Sequence, residues 1–163
     1  GFAGEESAGA TYLQKDGKTW TTDKDGFVMT LLAAEIQAVS GKNVHEYLLD
    51  LQRELGSPYY GRVEAVATAL HKQALKSLSP EKIAISELAG EEVTSVLTKA
   101  PANQADIGGI KVTTANGWFA ARPSGTEDIY KIYAESFISE DHLQQIIEQA
   151  QRLLSEYFNE CTA

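Results

Sequence analysis

Residues 122–127, Arg-Pro-Ser-Gly-Thr-Glu, gather in one short run the groups that hold a phosphate. Arg122 offers a charged fork, Ser124 and Thr126 offer hydroxyl donors, Gly125 removes the Cβ that would keep an anion off the backbone N–H groups, and Pro123 limits flexing. The flanks Gly117-Trp118-Phe119-Ala120-Ala121 and Ile129-Tyr130-Lys131-Ile132-Tyr133-Ala134 are rich in strand formers, so the hexad is predicted to join two strands. A loop held by a sheet loses little affinity to ordering its donors. Lys131 adds a second positive charge. Strand alternation sets it opposite to Tyr130 and Ile132, which puts it either on the loop's side or on an open, solvated sheet face. The hexad also has the composition of an ordinary turn whose hydroxyls bond their own backbone, and the residues alone leave both readings standing.

A second cluster, Gly4-Glu5-Glu6-Ser7-Ala8-Gly9, sets two carboxylates and a hydroxyl in a glycine frame. Carboxylates that accept from neighbouring ligand hydroxyls fix a sugar, and Ser7 can add a bond. The same residues would also serve as a solvated acidic loop near a chain end.

The elements that must position these groups follow from turn residues and periodicity. Tyr12-Leu13-Gln14 and Thr19-Trp20-Thr21 flank Lys15-Asp16-Gly17-Lys18, which predicts a hairpin. Asp25-Gly26 opens a helix carrying Val28, Leu31, Leu32, Glu35 and Ile36 toward a core and stopping at Gly41. A second helix over 44–55 places Tyr47, Leu48, Leu51 and Leu55 on one stripe, and Gly56-Ser57-Pro58 breaks it. Two helices and a hairpin bury little by themselves, so the first third is expected to be truncated, with a domain boundary at that break. Beyond it come a strand over 59–65, a helix over 69–78 capped by Thr68, strands over 92–97, 109–114, 117–121 and 128–137, and a helix over 140–157 capped by Ser139. Asn116-Gly117 signals a hairpin. The expected fold is α+β: an antiparallel sheet with helices on one face, preceded by a partial α/β domain.

A hydrophobic fraction of 43%, a charged fraction of 23% and no long apolar run describe a globular chain that does not span a membrane. The formal charge of −9 disfavours nucleic acid and anionic lipid and requires any anion site to be a local positive pocket, which suits a small phosphorylated ligand. Cys161 is the sole cysteine, so no internal disulfide can form and a reducing, cytoplasmic setting is expected. His45, His71 and His142 lack zinc-site spacing and are all read as helix-surface residues. With Gly1 first and Met29 the sole methionine, the chain is expected to be an excised fragment.

Together, residues 4–9, the run Thr22-Asp23-Lys24-Asp25-Gly26 and the hexad resemble the alpha-D-phosphohexomutase superfamily over essentially the whole chain. Glu5-Glu6-Ser7-Ala8-Gly9 is similar to its glucose-specific members, whereas the mannose and glucosamine members resemble Glu-x-Ser-Gly-His. The resemblance implies that residues 1–57 end the sugar-binding third domain and that 58–163 form a phosphate-binding fourth domain, an antiparallel sheet like that of the TATA-box-binding protein. It implies interconversion of glucose 1-phosphate and glucose 6-phosphate through glucose 1,6-bisphosphate, with a phosphorylated hexose as partner and with Mg2+ in the intact enzyme. By the same resemblance Glu5 and Ser7 bind sugar hydroxyls, and Lys24 contacts ligand or assists proton transfer. Arg122, Ser124, Gly125, Thr126 and Lys131 bind the phosphate that does not react. Ala3 stands where many relatives have glycine, and Lys131 where many have arginine, so its contact is expected to be single rather than bidentate. No Thr-Ala-Ser-His-Asn loop and no Asp-x-Asp-x-Asp motif occurs. The phosphoserine and the metal are therefore expected on domains 1 and 2 of the same protein, and the fragment alone is expected to be inactive. A non-enzymatic phosphate-ligand module docking a basic partner, and a mannose- or glucosamine-phosphate relative, are the competing readings.

Overall fold

A computed structural model describes residues 1–4, 9–20 and 24–162. The chain divides into two units, Gly1–Gly56 and Ser57–Ala163.

In the first unit β1 (Phe2–Gly4) pairs antiparallel with β2 (Ala10–Tyr12), Phe2 opposite Tyr12 and Gly4 opposite Ala10. The Phe2 and Tyr12 rings lie 5.1 Å apart. The expected hairpin centred on Asp16-Gly17 is present on the other side of β2, as a short one. Its turn has Gly17 at φ +83°, and its arms meet through the Gln14 N–H bond to the Lys18 carbonyl, the Leu13–Thr19 bridge and the Trp20 N–H bond to the Tyr12 carbonyl. Its short arms stay exposed, and a ladder that covers no apolar face has nothing to extend it. Thr21 lies outside the described residues.

Helix α1 (Gly26–Ser40) starts where extended Asp25 accepts the Phe27 N–H at 2.8 Å, and stops at Gly41 in the left-handed region, φ +72°. Helix α2 (Val44–Leu55) begins with a reciprocal capping box between Asn43 and Glu46. The expectation that the first helix faces a core is corrected: α1 has no buried residue among those described, and Phe27, Leu31 and Val39 are largely exposed. Its apolar residues lie all round the helix rather than on one stripe, so α2 alone cannot cover them.

The second unit runs β3 (Tyr59–Val66), α3 (Ala69–Lys76), a 3-10 turn at Pro80–Lys82, β4 (Glu87–Leu88), β5 (Glu91–Glu92), β6 (Ser95–Lys99), β7 (Asp106–Thr113), β8 (Gly117–Pro123), β9 (Ile129–Ser136) and α4 (Glu140–Thr162). β3-β9-β8-β7-β6 form one antiparallel sheet, and β4-β5 a small hairpin turning at Ala89 and Gly90. The single strand expected over 92–97 is thus two, separated because β5 pairs locally with β4 while β6 joins the main sheet. Alternation is strict on β8 and β9. Phe119, Ala121, Ile132 and Ala134 turn inward with Ile110 and Val112 of β7, against Leu75 of α3 and Leu143, Ile146, Ala150 and Leu154 of α4. Both helices therefore cover one face, as the residue pattern predicts.

Helix α4 begins as expected, with the Ser139 hydroxyl accepting the His142 N–H at 3.1 Å, and runs past the expected stop at 157 because Tyr157 and Phe158 still reach the core. At the β7–β8 turn neither Asn116 nor Gly117 has a positive φ, so the glycine is not there for a left-handed turn. A Cβ at Gly117 would lie 2.6 Å from Ile146 Cδ1 and 3.1 Å from the Glu135 carbonyl oxygen, so glycine is needed for close approach of sheet and helix.

Candidate functional site

The hexad closes the β8–β9 hairpin. Pro123 pairs with Tyr130, and the Ser124 N–H donates to the Ile129 carbonyl at 2.9 Å, which closes the base of the loop. The Ser124 hydroxyl accepts the Glu127 N–H at 3.2 Å, so part of the turn reading holds for that side chain. Among the described residues the N–H groups of Gly125 and Thr126 have no protein acceptor, and both residues are exposed. A Cβ built on Gly125 meets nothing within 4 Å, so no protein atom fills the space beside that backbone. The arrangement leaves two donors at the tip of a loop whose ends are fixed.

Arg122 and Lys131 are directly opposite in the β8–β9 register, at the foot of this loop and on the face away from the helices. The Arg122 guanidinium lies 5.9 Å from the Tyr133 ring centroid, and it forms no ion pair among the described residues. Lys131 is more enclosed: its ammonium lies 3.5 Å from Glu64 Oε1 on β3 and 3.8 Å from Glu127 Oε2 in the loop. It is thus neither a freely solvated lysine nor an unengaged one. Beside Pro123 the Tyr130 ring packs edge-on against Phe158 at 5.4 Å. Desolvation there pushes the Tyr130 phenol pKa up.

Of the residues expected to bind a sugar, Glu5 and Ser7 lie outside the described residues. The ladder on either side holds Gly4 opposite Ala10, which anchors both ends of that stretch. Lys24 is described and exposed, immediately before the Asp25 cap of α1. It sits against Gly9: a Cβ at Gly9, whose φ is +125°, would come 3.1 Å from Lys24 Cβ and 3.3 Å from the Asp25 nitrogen. The Asp25 N–H donates to the Ala10 carbonyl at 3.0 Å. The first unit therefore brings Lys24 beside the end of residues 4–9, and the second brings Arg122, Lys131 and the tip of the hexad together.

Two groups of residues escaped the sequence reading. Lys72, on α3, reaches the far limb of the hexad loop, with its ammonium donating to the Glu127 carbonyl at 3.0 Å and to Asp128 Oδ1 at 3.1 Å. A contact across 55 positions has no local signature. The other group corrects the reading of the histidines as surface residues. His142 is buried, its Nδ1 is 2.9 Å from the buried Ser136 hydroxyl, and its Nε2 lies 3.9 Å from Glu91 Oε2. Alternation puts Ser136 inward at the end of β9, and the first turn of α4 brings His142 over it. His71 is half-buried rather than exposed, with its ring stacked on Phe158 at 4.5 Å. Glu91 accepts from the Thr114 hydroxyl at 2.7 Å and from Asn116 Nδ2 at 2.6 Å. These bonds, first that from Thr114, with a smaller contribution from His142, hold its carboxyl below the usual range. This network ties the β4–β5 hairpin to the β7–β8 turn and to α4.

Among the described residues no group of three or more His, Cys, Asp or Glu could hold a metal ion. No helix among the described residues is long and apolar enough to cross a membrane.

Fold and loop together define a class: a mixed α/β chain with a five-strand antiparallel sheet, helices on one face and a cationic hairpin loop at one end. Residues 64–153 match the phosphoglucomutase/phosphomannomutase C-terminal domain, and residues 1–55 match the alpha/beta/alpha domain III of the same family. The chain belongs to the phosphoglucomutase/phosphomannomutase family. It is 54% identical over 158 residues to a phosphoglucomutase of Komagataeibacter xylinus, covering 97% of this chain and 28% of that protein. It is 26% identical over 162 residues to a probable phosphoglucosamine mutase of Thermococcus gammatolerans, covering 96% of this chain and 30% of that protein. The chain thus spans under a third of the length of the curated relatives it matches. Its fold is shared with the crystal structure of a phosphoglucomutase/phosphomannomutase family protein from Burkholderia thailandensis, at a TM-score of 0.62 and 20% identity, covering 96% of this chain and 28% of that one.

Proposed function

We propose that this chain is the sugar- and distal-phosphate-holding part of an enzyme that interconverts glucose 1-phosphate and glucose 6-phosphate through glucose 1,6-bisphosphate. The observation that carries the reading is the register pair Arg122–Lys131 at the foot of a loop with two unclaimed N–H donors. The 54% identity to a phosphoglucomutase, against 26% to a probable phosphoglucosamine mutase, favours glucose.

A mutase that moves phosphate between O1 and O6 must hold its bisphosphate in two opposite orientations. It therefore needs one fixed clamp for the phosphate that is not reacting and a ring site that tolerates reversal. Arg122 and Lys131 supply charge to that clamp, Gly125 and Thr126 supply N–H groups, and the Ser124 and Thr126 hydroxyls add donors. Glu5 and Ser7 bind ring hydroxyls, which each sugar orientation presents in turn, and Lys24 contacts ligand or moves a proton there. The phosphoserine and Mg2+ belong to other domains of the same protein, in the cytoplasm, and the 163-residue chain alone does not turn over.

The test is a coupled assay of glucose 1-phosphate conversion by the full-length protein, with Arg122→Ala beside it. Turnover with a KM raised by the substitution supports the reading. An Arg122→Ala enzyme with unchanged KM and kcat would remove the loop from the site.

A further inference from the structure

We infer that Lys72 is a positioning residue for the phosphate loop, holding the peptide between Glu127 and Asp128 so that its carbonyl is turned from the anion. The inference rests on residues 122–127 being the distal-phosphate clamp. The loop's incoming limb is fixed by the sheet, through the Ser124 N–H bond to the Ile129 carbonyl. Its outgoing limb is fixed from α3: the Ala67 N–H, just before that helix, donates to the Asp128 carbonyl at 2.9 Å, and Lys72 Nζ donates to the Glu127 carbonyl at 3.0 Å.

The planar, trans peptide makes the second bond consequential. With the Glu127 oxygen drawn toward Lys72, the Asp128 N–H must point the opposite way. Among the described residues that N–H, like those of Gly125 and Thr126, has no protein acceptor. A rotated 127–128 peptide would replace a donor with a carbonyl oxygen, which repels an anion. The ammonium also bonds Asp128 Oδ1 at 3.1 Å, but the Asp128 side chain is 89% exposed, and an exposed ion pair contributes little on its own. The carbonyl contact is the one that sets peptide orientation, and the Lys72 side chain is only 24% exposed where it makes it.

Steady-state kinetics on the full-length protein test this with Lys72→Met, Lys72→Arg, Asp128→Asn and, as control, Arg122→Ala. Lys72→Met should raise the KM for glucose 1-phosphate about fivefold or more, leave kcat within about twofold and leave the melting temperature in place, as expected for lost binding that is uniform in ground and transition states. Lys72→Arg should restore most of the affinity, and Asp128→Asn should change little. In hydrogen exchange, Lys72→Met should speed the bonded amides of the outgoing limb, Glu127 and Ala67, about tenfold without affecting the amides of β8 and β9. An unchanged KM in Lys72→Met, or an Asp128→Asn effect as large as that of Lys72→Met, overturns the inference. If Lys72→Met unfolds the protein, wild-type-like exchange of the Glu127 and Ala67 amides in Lys72→Arg with an about fivefold KM rise would likewise overturn it. If Arg122→Ala also leaves KM unchanged, it is the clamp reading that fails; if Arg122→Ala raises KM and Lys72→Met does not, only the role of Lys72 fails.

Discussion

The two units are built from equally well-specified elements and differ in what those elements bury. In Ser57–Ala163, strict alternation on β8 and β9 and the apolar stripe of α4 converge on one cluster that includes Phe119, Ile132 and Leu154. In Gly1–Gly56, α1 and α2 have caps as good as any in the chain, yet Ala10 is the one buried apolar residue among those described. Caps and periodicity decide where a helix starts and stops, whereas burial depends on a partner surface. The same contrast separates the strands that carry the two candidate binding runs: the hexad joins central strands of a packed five-strand sheet, whereas the strands on either side of residues 5–8 are three residues each in a two-strand sheet.

The largest expected effect breaks the chain at that contrast. Residues 57–163 produced alone should unfold in one cooperative thermal transition, while residues 1–56 alone should show none; a cooperative transition in both would equate them. Next, Phe119→Ala should cost about 3–5 kcal/mol in denaturant unfolding, and Leu31→Ala, at 69% exposure, less than about 0.5 kcal/mol. Gly117→Ala should cost about 1–3 kcal/mol because its Cβ has no room beside Ile146.

Removing a cap is a smaller perturbation. Thr68→Ala at α3 should cost about 1 kcal/mol, read as a shift in the urea midpoint of the second unit. The smallest effect is electrostatic. Glu91 titrates below the ordinary value of 4.5 when folded, so the stability it lends is present above that pH and is lost as the pH falls through its folded value. Glu91→Gln should therefore lower the melting temperature slightly near neutrality, where the carboxylate's contribution is present, and flatten the acid limb of the profile below about pH 4.5. An identical acid limb in the variant would mean that the Thr114 and Asn116 bonds do not perturb Glu91.

The fold was legible where the signals are local. Asp25, Gly41, Gly56 and Thr68 delimit helices through their own backbone and side-chain bonds, and period-two alternation gave β8 and β9 their inward faces. It was illegible where a strand takes a second partner: Ala10–Tyr12 also pairs with Phe2–Gly4, a three-residue arm with no turn signal of its own beside the hairpin at Asp16-Gly17. Asn116-Gly117 marked a turn correctly for the wrong reason, since the missing Cβ there serves α4 packing. At the candidate site, a run of adjacent residues such as the hexad can be read directly. Lys72 and Glu64 reach it only through tertiary contacts, and His142 is buried by a helix whose polar first turn reads as surface.

The most direct measurement is calorimetric titration of glucose 1,6-bisphosphate into the full-length protein and into its Arg122→Ala variant, with folding of both verified by thermal unfolding. Loss of a charge-assisted contact at the hexad should weaken binding by about 1.5–3 kcal/mol, roughly 10- to 150-fold in Kd. Equal affinity of the two folded proteins would contradict the assignment of the phosphate to this loop.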